Sequence, residues 1–315
     1  MGASSFSSLK KKKIRMSQQI NTNVTPSFSS QEKSESNMYE GRSYHNTDSI
    51  YWLPNDNEEL DRLIGQHFAL KSLFGGNFNT KVLDYMSMED RTTKVLDCGC
   101  GPGTWIMDVA TEYPNIQLTG IDISDVFPTS IRPPNVNFCL GNLLERLPFE
   151  DNTFDFIHVR LFIAALRKEE WPLALEELFR VLKPGGILIS TECSQIGPGR
   201  DFINEFAILI AKFMESRGQE PEIAAMLPDL LVSKGYELID SVKQVINLGA
   251  NDSLSREFLY DVINLTRNAK PFIAPHLNLT TDQEYNDMVN KLTIECQKEP
   301  QAQWSFTSTV ARKPL

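Results

Sequence analysis

The segment Val95-Leu-Asp97-Cys-Gly99-Cys-Gly101-Pro-Gly103 places an acid two residues ahead of three alternate glycines. Its first half reads as a short apolar strand, and the residues from Thr104 onward read as a helix, so the glycines form a turn between strand tip and helix start. Glycine there lets a ligand approach the backbone without meeting a side chain. The helix start offers unpaired N–H groups to an anion. Asp97, at the strand end, is placed to accept hydrogen bonds from an ammonium group. A second acid, Asp122 in Thr119-Gly-Ile-Asp122-Ile123-Ser124, closes the next strand about 25 residues further on. A carboxylate at such a tip accepts from both hydroxyls of a ribose, and Ile123 can pack on the face of a base. The competing role of Asp122 is a helix N-cap. Cys139-Leu-Gly141-Asn142-Leu143 ends a third strand, where the Asn142 side-chain oxygen can accept from an amino group. A nicotinamide-binding turn would instead read Gly-x-Gly-x-x-Gly, with its acid downstream. That leaves a nicotinamide oxidoreductase as a minor alternative.

The elements that must hold these residues alternate. Thr93–Cys98, Ile116–Ile121, Val136–Leu140, Phe154–Val159 and Ile187–Thr191 read as strands. Thr104–Tyr113 and Trp171–Leu182 read as helices, the second stopped by Pro184-Gly185-Gly186. Such alternation implies a mostly parallel, doubly wound sheet with helices on both faces. Helices over 57–73, 201–217, 222–234, 252–268 and 280–296 and strands over 237–248 and 304–311 complete the reading, with a capping box at Thr280 and Gln283.

With Glu177-Leu-Phe-Arg180-Val-Leu-Lys183-Pro-Gly-Gly186 added, these motifs resemble the class I S-adenosyl-L-methionine (SAM)-dependent methyltransferases over about residues 93–193. The flanks Tyr51-Trp-Leu-Pro54 through Arg62, Gln66 and His67, the stretch Phe154-Asp-Phe-Ile-His158-Val-Arg160, and Ala311-Arg-Lys313-Pro resemble fungal LaeA-like and related methyltransferases across most of residues 51–313. The resemblance implies a Rossmann-like seven-stranded sheet with its last strand antiparallel, and a helix near residue 60 lidding the cofactor. It also implies that the anion at the glycine turn is the carboxylate of SAM. Many relatives carry Asp where Asn142 stands, which weakens that one contact. The cofactor-binding candidates are Asp97, Gly99, Cys100, Gly101, Asp122, Ile123, Asn142, Leu143 and Arg160. For Arg160, pairing with a surface acid competes with meeting the cofactor carboxylate.

Because SAM carries an activated methyl group, a base is needed only where the acceptor must lose a proton first. His158 and Glu192 are weak catalytic candidates at strand ends, against a packed, hydrogen-bonded histidine as the plainer reading of the first. Phe202, Phe206, Phe213, Phe258, Tyr260 and Phe272 read either as packing within a helical cap, about residues 200–235 and 250–300, or as walls of an apolar acceptor pocket.

The first fifty residues hold seven basic and four acidic side chains, so a chain of net charge −10 leaves about −13 on the remainder. That acidity opposes a nucleic-acid substrate and favours a small organic acceptor. Five scattered cysteines form neither a disulfide framework nor a metal site, and no apolar run is long enough to span a bilayer. These features place the protein in the cytoplasm or nucleus. Residues 1–49, rich in Ser, Asn and Thr, read as a disordered tail before a domain over 50–315. Within it Lys10–Lys13 and Arg15 read as a solvated basic run or a nuclear-import patch. Phe6 disfavours myristoylation at Gly2. The tail and the LaeA-like flanks motivate a second reading, a SAM-binding regulatory protein that works through a protein partner with little or no turnover.

Overall fold

The computed structural model describes residues 37–39, 41–45 and 49–315. A seven-stranded sheet contains β3 (Lys94–Cys98), β4 (Gln117–Asp122), β5 (Val136–Leu140), β6 (Phe154–Arg160), β7 (Leu182–Cys193), β8 (Glu237–Asn247) and β9 (Gln303–Arg312). Their order is β5-β4-β3-β6-β7-β9-β8. All pairings are parallel except those of β9, which runs antiparallel to both β7 and β8. The expected doubly wound sheet with an antiparallel last strand is therefore present. The chain winds outward from β3 in one direction and then reverses at β6, which leaves a crevice beyond the carboxyl ends of these two strands.

Val95 and Leu96 show why β3 sits at the centre. Both are fully buried on opposite faces of the strand. On the Val95 face, Phe156, Ile187, Ile189 and Val310 meet Trp105, Ile106 and Val109 of α2 (Thr104–Glu112). On the Leu96 face, Ile157, Val159 and Leu188 meet Ala174, Leu175 and Leu178 of α3 (Trp171–Val181).

Above the carboxyl ends lies a helical layer. In it α1 (Asn57–Phe74) packs on α6 (Ser253–Asn268), α6 on α7 (Lys270–His276) and α8 (Asp282–Gln297), and α8 on α4 (Asp201–Ser216). The sequence grouped residues 200–235 as cap. Instead α5 (Ile223–Ser233) packs on β7, β8 and β9, because Leu227 and Leu231 complete the Leu96 face. The capping box lies one residue beyond its expected place, at Thr281 and Glu284.

Two short strands, β1 (Asn37–Tyr39) and β2 (Arg42–Tyr44), pair inside the stretch expected to be disordered. Arg42 is held by the Asp56 carboxylate and donates to Asn268 at 2.9 Å. Tyr44 is buried with its ring edge-on to Phe272. These anchors come from distant residues and leave no local periodicity. Gly2 and the Lys10–Arg15 run lie outside the described residues. Among the described residues no helix is long and apolar enough to cross a membrane.

Candidate functional site

A cavity of about 370 Å³ opens where the strand order reverses, between the glycine turn, the tips of β4, β5 and β6, and α1. Gly99, Gly101 and Gly103 all have left-handed backbone, with φ of 68°, 52° and 74°. Their reasons for being glycine differ. A Cβ on Gly99 would lie 2.4 Å from the Phe162 ring, and one on Gly103 would lie 2.6 Å from the Phe138 ring. At Gly101 the nearest atom, in Leu63, is 4.0 Å away. Room for a ligand against the backbone therefore explains Gly101, whereas packing against aromatic rings explains the other two. Gly103 caps α2 with no side-chain hydrogen bond, so the first N–H groups of that helix have no side-chain partner.

Asp97 is buried, and its carboxylate accepts from His158 Nδ1 at 2.8 Å. The imidazole of His158 lies flat on Trp105, with centroids 3.9 Å apart and planes 6° apart. Burial lowers the His158 pKa, and Asp97 opposes that shift. His158 thus lines the cavity as a packed, hydrogen-bonded ring.

Arg160 reaches the cavity half-buried. Its Nη1 lies 3.4 Å from His67 Nδ1, and among the described residues no carboxylate lies within ion-pairing distance. His67 Nε2 faces Asp108 at 3.1 Å. Burial first, and the charge of Arg160 second, push the His67 pKa down to about 4. At neutral pH its ring is uncharged, with Nε2–H assigned toward Asp108 and the Nδ1 lone pair toward Arg160.

Asp122 ties the strand tip to the glycine turn. One oxygen accepts from Gly101 N and the other from Ser124 N, each at 2.9 Å. Each oxygen keeps a further lone pair, and burial raises the pKa of the group. The capping alternative is therefore partly met, by a turn rather than a helix. Cys100, Ile123 and Leu143 line the cavity beside it. Asn142 also lines it, but its Oδ1 accepts from Leu144 N at 3.0 Å and its Nδ2 donates to Glu145 at 3.2 Å.

Glu192 is not among the lining residues. It is fully buried and accepts from Phe162 N at 2.9 Å and Ile163 N at 3.0 Å, and burial pushes its carboxyl up to about 8. The catalytic expectation for Glu192 is corrected on that ground, since the side chain faces the backbone rather than the cavity. The aromatic acceptor walls are corrected too. Phe206, Phe213 and Phe258 are core residues, Phe202 and Phe272 pack against that core, Tyr260 is exposed, and none lines the cavity.

Helix α1 is fastened to α6 by a buried polar network. Arg62 donates to Glu59 at 2.9 Å and to Asp261 of α6 at 2.6 Å, Gln66 donates to Asp261 at 2.9 Å, and Asn268 donates to Glu59 at 2.6 Å. Arg62 is spent on these contacts and His67 on Asp108 and Arg160, while Tyr51 and Gln66 line the cavity. Sequence reasoning missed Leu161, Phe162, Arg167 and Glu170, which also line it. The apolar run after β6 was the available signal.

A family described as "Methyltransferase domain" matches residues 95–186, the span that carries this crevice. The secondary metabolism regulator laeA of Coprinopsis cinerea is 31% identical over 141 residues, covering 44% of this chain and 35% of that protein. The N-methyltransferase verN of Clonostachys rogersoniana is 26% identical over 272 residues, covering 82% and 91%. The methyltransferase grgD of a Penicillium species is 28% identical over 191 residues, covering 56% and 66%. The match thus spans about a third of the laeA protein and about two thirds of grgD. Residues 95–186 thus match a methyltransferase domain, and the chain is similar over parts of its length to LaeA-like and other fungal methyltransferases.

Proposed function

We propose that this protein transfers the methyl group of SAM to a small, neutral, largely apolar organic acceptor. One observation carries the reading. Asp97, Asp122, the open backbone of Gly101 and Arg160, which has no carboxylate partner among the described residues, converge on one cavity at the reversal of the sheet. The residues fit SAM in charge as well as shape. Arg160 and the uncapped start of α2 suit its carboxylate, and Asp97 suits its ammonium. The free lone pairs of Asp122 suit the ribose hydroxyls, and the remaining lone pair of Asn142 Oδ1 suits the adenine amino group. Ile123 and Leu143 supply apolar walls for the adenine, with Gly99 and Cys100 as backbone floor.

Bound SAM supplies a methyl group on a positively charged sulfur, already activated for displacement. The protein's part is alignment and exclusion of water. His158 is held by Asp97 and Trp105, Glu170 is paired with Arg167 at 2.6 Å, and burial pushes the Tyr51 phenol up, so it stays protonated. These engagements support positioning rather than proton abstraction. The other lining residues are mainly apolar, Ile50, Pro54, Leu60, Ala165 and Leu166 among them, with His45, Ser49 and Asn55 as polar members. The Arg167–Glu170 pair closes on itself, which supports a neutral acceptor, and the acidity of the body weighs against nucleic acid. Five free cysteines support a reducing compartment, cytoplasmic or nuclear.

Calorimetry with SAM, followed by assay of S-adenosylhomocysteine release across phenols, amines and carboxylic acids, tests the reading. The expectation is a micromolar Kd, about −8 kcal/mol, and turnover with an apolar acceptor. Absence of SAM binding overturns it. SAM binding without turnover on any acceptor class favours the regulatory, LaeA-type alternative.

A further inference from the structure

Leu161 is a bulky residue in left-handed backbone, with φ 59° and ψ 40°. Such a conformation costs about 1–2 kcal/mol and persists only where the surroundings impose it. Here the imposition is visible. Leu161 N donates to Thr191 O at 2.9 Å, and the next two N–H groups, of Phe162 and Ile163, donate to the two oxygens of Glu192 at 2.9 and 3.0 Å. Glu192 therefore caps the 3-10 turn Phe162–Ala164 from the neighbouring strand, with no exposure to solvent. The turn in turn reaches the glycine loop, because the Phe162 ring fills the space a Cβ on Gly99 would occupy. Leu161 and Phe162 both line the cavity, and Glu192 does not.

We infer that Glu192 is a positioning residue for cofactor binding: its two backbone contacts hold Leu161 in its strained turn and seat Phe162 on Gly99, which fixes the shape of the glycine loop from behind. The linkage runs from the tip of β7, through the end of β6, to the tip of β3. A carboxyl group suits the task in either protonation state, because its carbonyl oxygen and its hydroxyl or anionic oxygen can each accept from one of two successive N–H groups. Glutamine presents one acceptor and one donor, so one N–H would face an NH₂ group and the turn would lose half its anchor. Released, Leu161 relaxes toward ordinary backbone and Phe162 leaves Gly99.

The inference rests on the reading of the cavity as the SAM site, and a double-mutant cycle with SAM titrated by calorimetry separates the two. Failure of the unaltered protein to bind SAM defeats that reading itself. If the unaltered protein binds, Glu192→Gln is expected to weaken SAM about tenfold, Phe162→Ala similarly, and the double variant no more than the weaker single variant, because both act through the same ring. A purely structural role would give additive losses, or lost stability with unchanged affinity in the variant that stays folded. Unchanged affinity in Glu192→Gln, or additivity in the double variant, overturns the inference. If Glu192→Gln fails to fold, Phe162→Leu, which leaves Glu192 intact, is expected to weaken SAM about fivefold, and unchanged affinity there overturns it equally.

Discussion

Alanine at Gly99 and alanine at Gly101 should damage different properties. Both positions have positive φ, so each substitution costs about 1–2 kcal/mol for placing a Cβ in left-handed backbone. At Gly99 the new atom also lies 2.4 Å from the Phe162 ring, and relieving that overlap costs about 1–3 kcal/mol more. The sum is about 2–5 kcal/mol of folding stability for Gly99→Ala. Gly101→Ala meets nothing closer than 4.0 Å, so it should lose only the backbone part of that, while its methyl group projects into the cavity. Chemical denaturation measures the first quantity and SAM titration the second. The expected pattern is a large stability loss for Gly99→Ala, and a small one with at least tenfold weaker SAM binding for Gly101→Ala. Equal stability of the two variants, or full SAM affinity in Gly101→Ala, would refute the division of roles.

Arg160→Ala should weaken SAM by about tenfold or more, since an unpaired guanidinium facing a carboxylate is worth about 1.5–3 kcal/mol; an unchanged Kd would return Arg160 to a packing role. Asp261→Ala, which strips Arg62 and Gln66 of their shared partner, should cost about 3–5 kcal/mol in denaturation because it leaves a buried cation half-paired. The pH dependence has a definite sign. The Glu192 carboxyl is raised from 4.5 to about 8 in the fold, so the folded state keeps a proton that the unfolded chain has lost, and stability falls as pH rises across that window. The depressed His67, at about 4, acts oppositely and only below about pH 6.5. Between about pH 7 and 8 the Glu192 contribution should therefore dominate the histidines, with a slope that eases from near −1.4 to about −0.7 kcal/mol per pH unit, and Glu192→Gln should flatten it.

The sheet was legible because its central strands carry short apolar runs closed by turns, as in Val95-Leu96 before the glycines and Ile187-Leu188-Ile189 of β7. The acids that line the cavity were legible from their place: Asp97 and Asp122 stand at strand tips beside the reversal of the sheet. What eluded sequence reading depends on contacts between distant residues. Glu192 stands at a strand end like the acids of the site, and only the fold shows it turned toward the backbone of residues 162 and 163. The phenylalanines of the cap have the composition of a pocket, yet their spacing along amphipathic helices buries them in the core. Gly99 and Gly101 are identical in sequence, and the Phe162 ring, 63 positions after the first, gives them different work.

A crystal structure with S-adenosylhomocysteine bound tests the central claim most directly. The account predicts the adenosine between Ile123 and Leu143, its ribose hydroxyls on Asp122 and its carboxylate at Arg160 and the start of α2. A product molecule lodged elsewhere, or seated with Asp122 and Arg160 both out of reach, would contradict it.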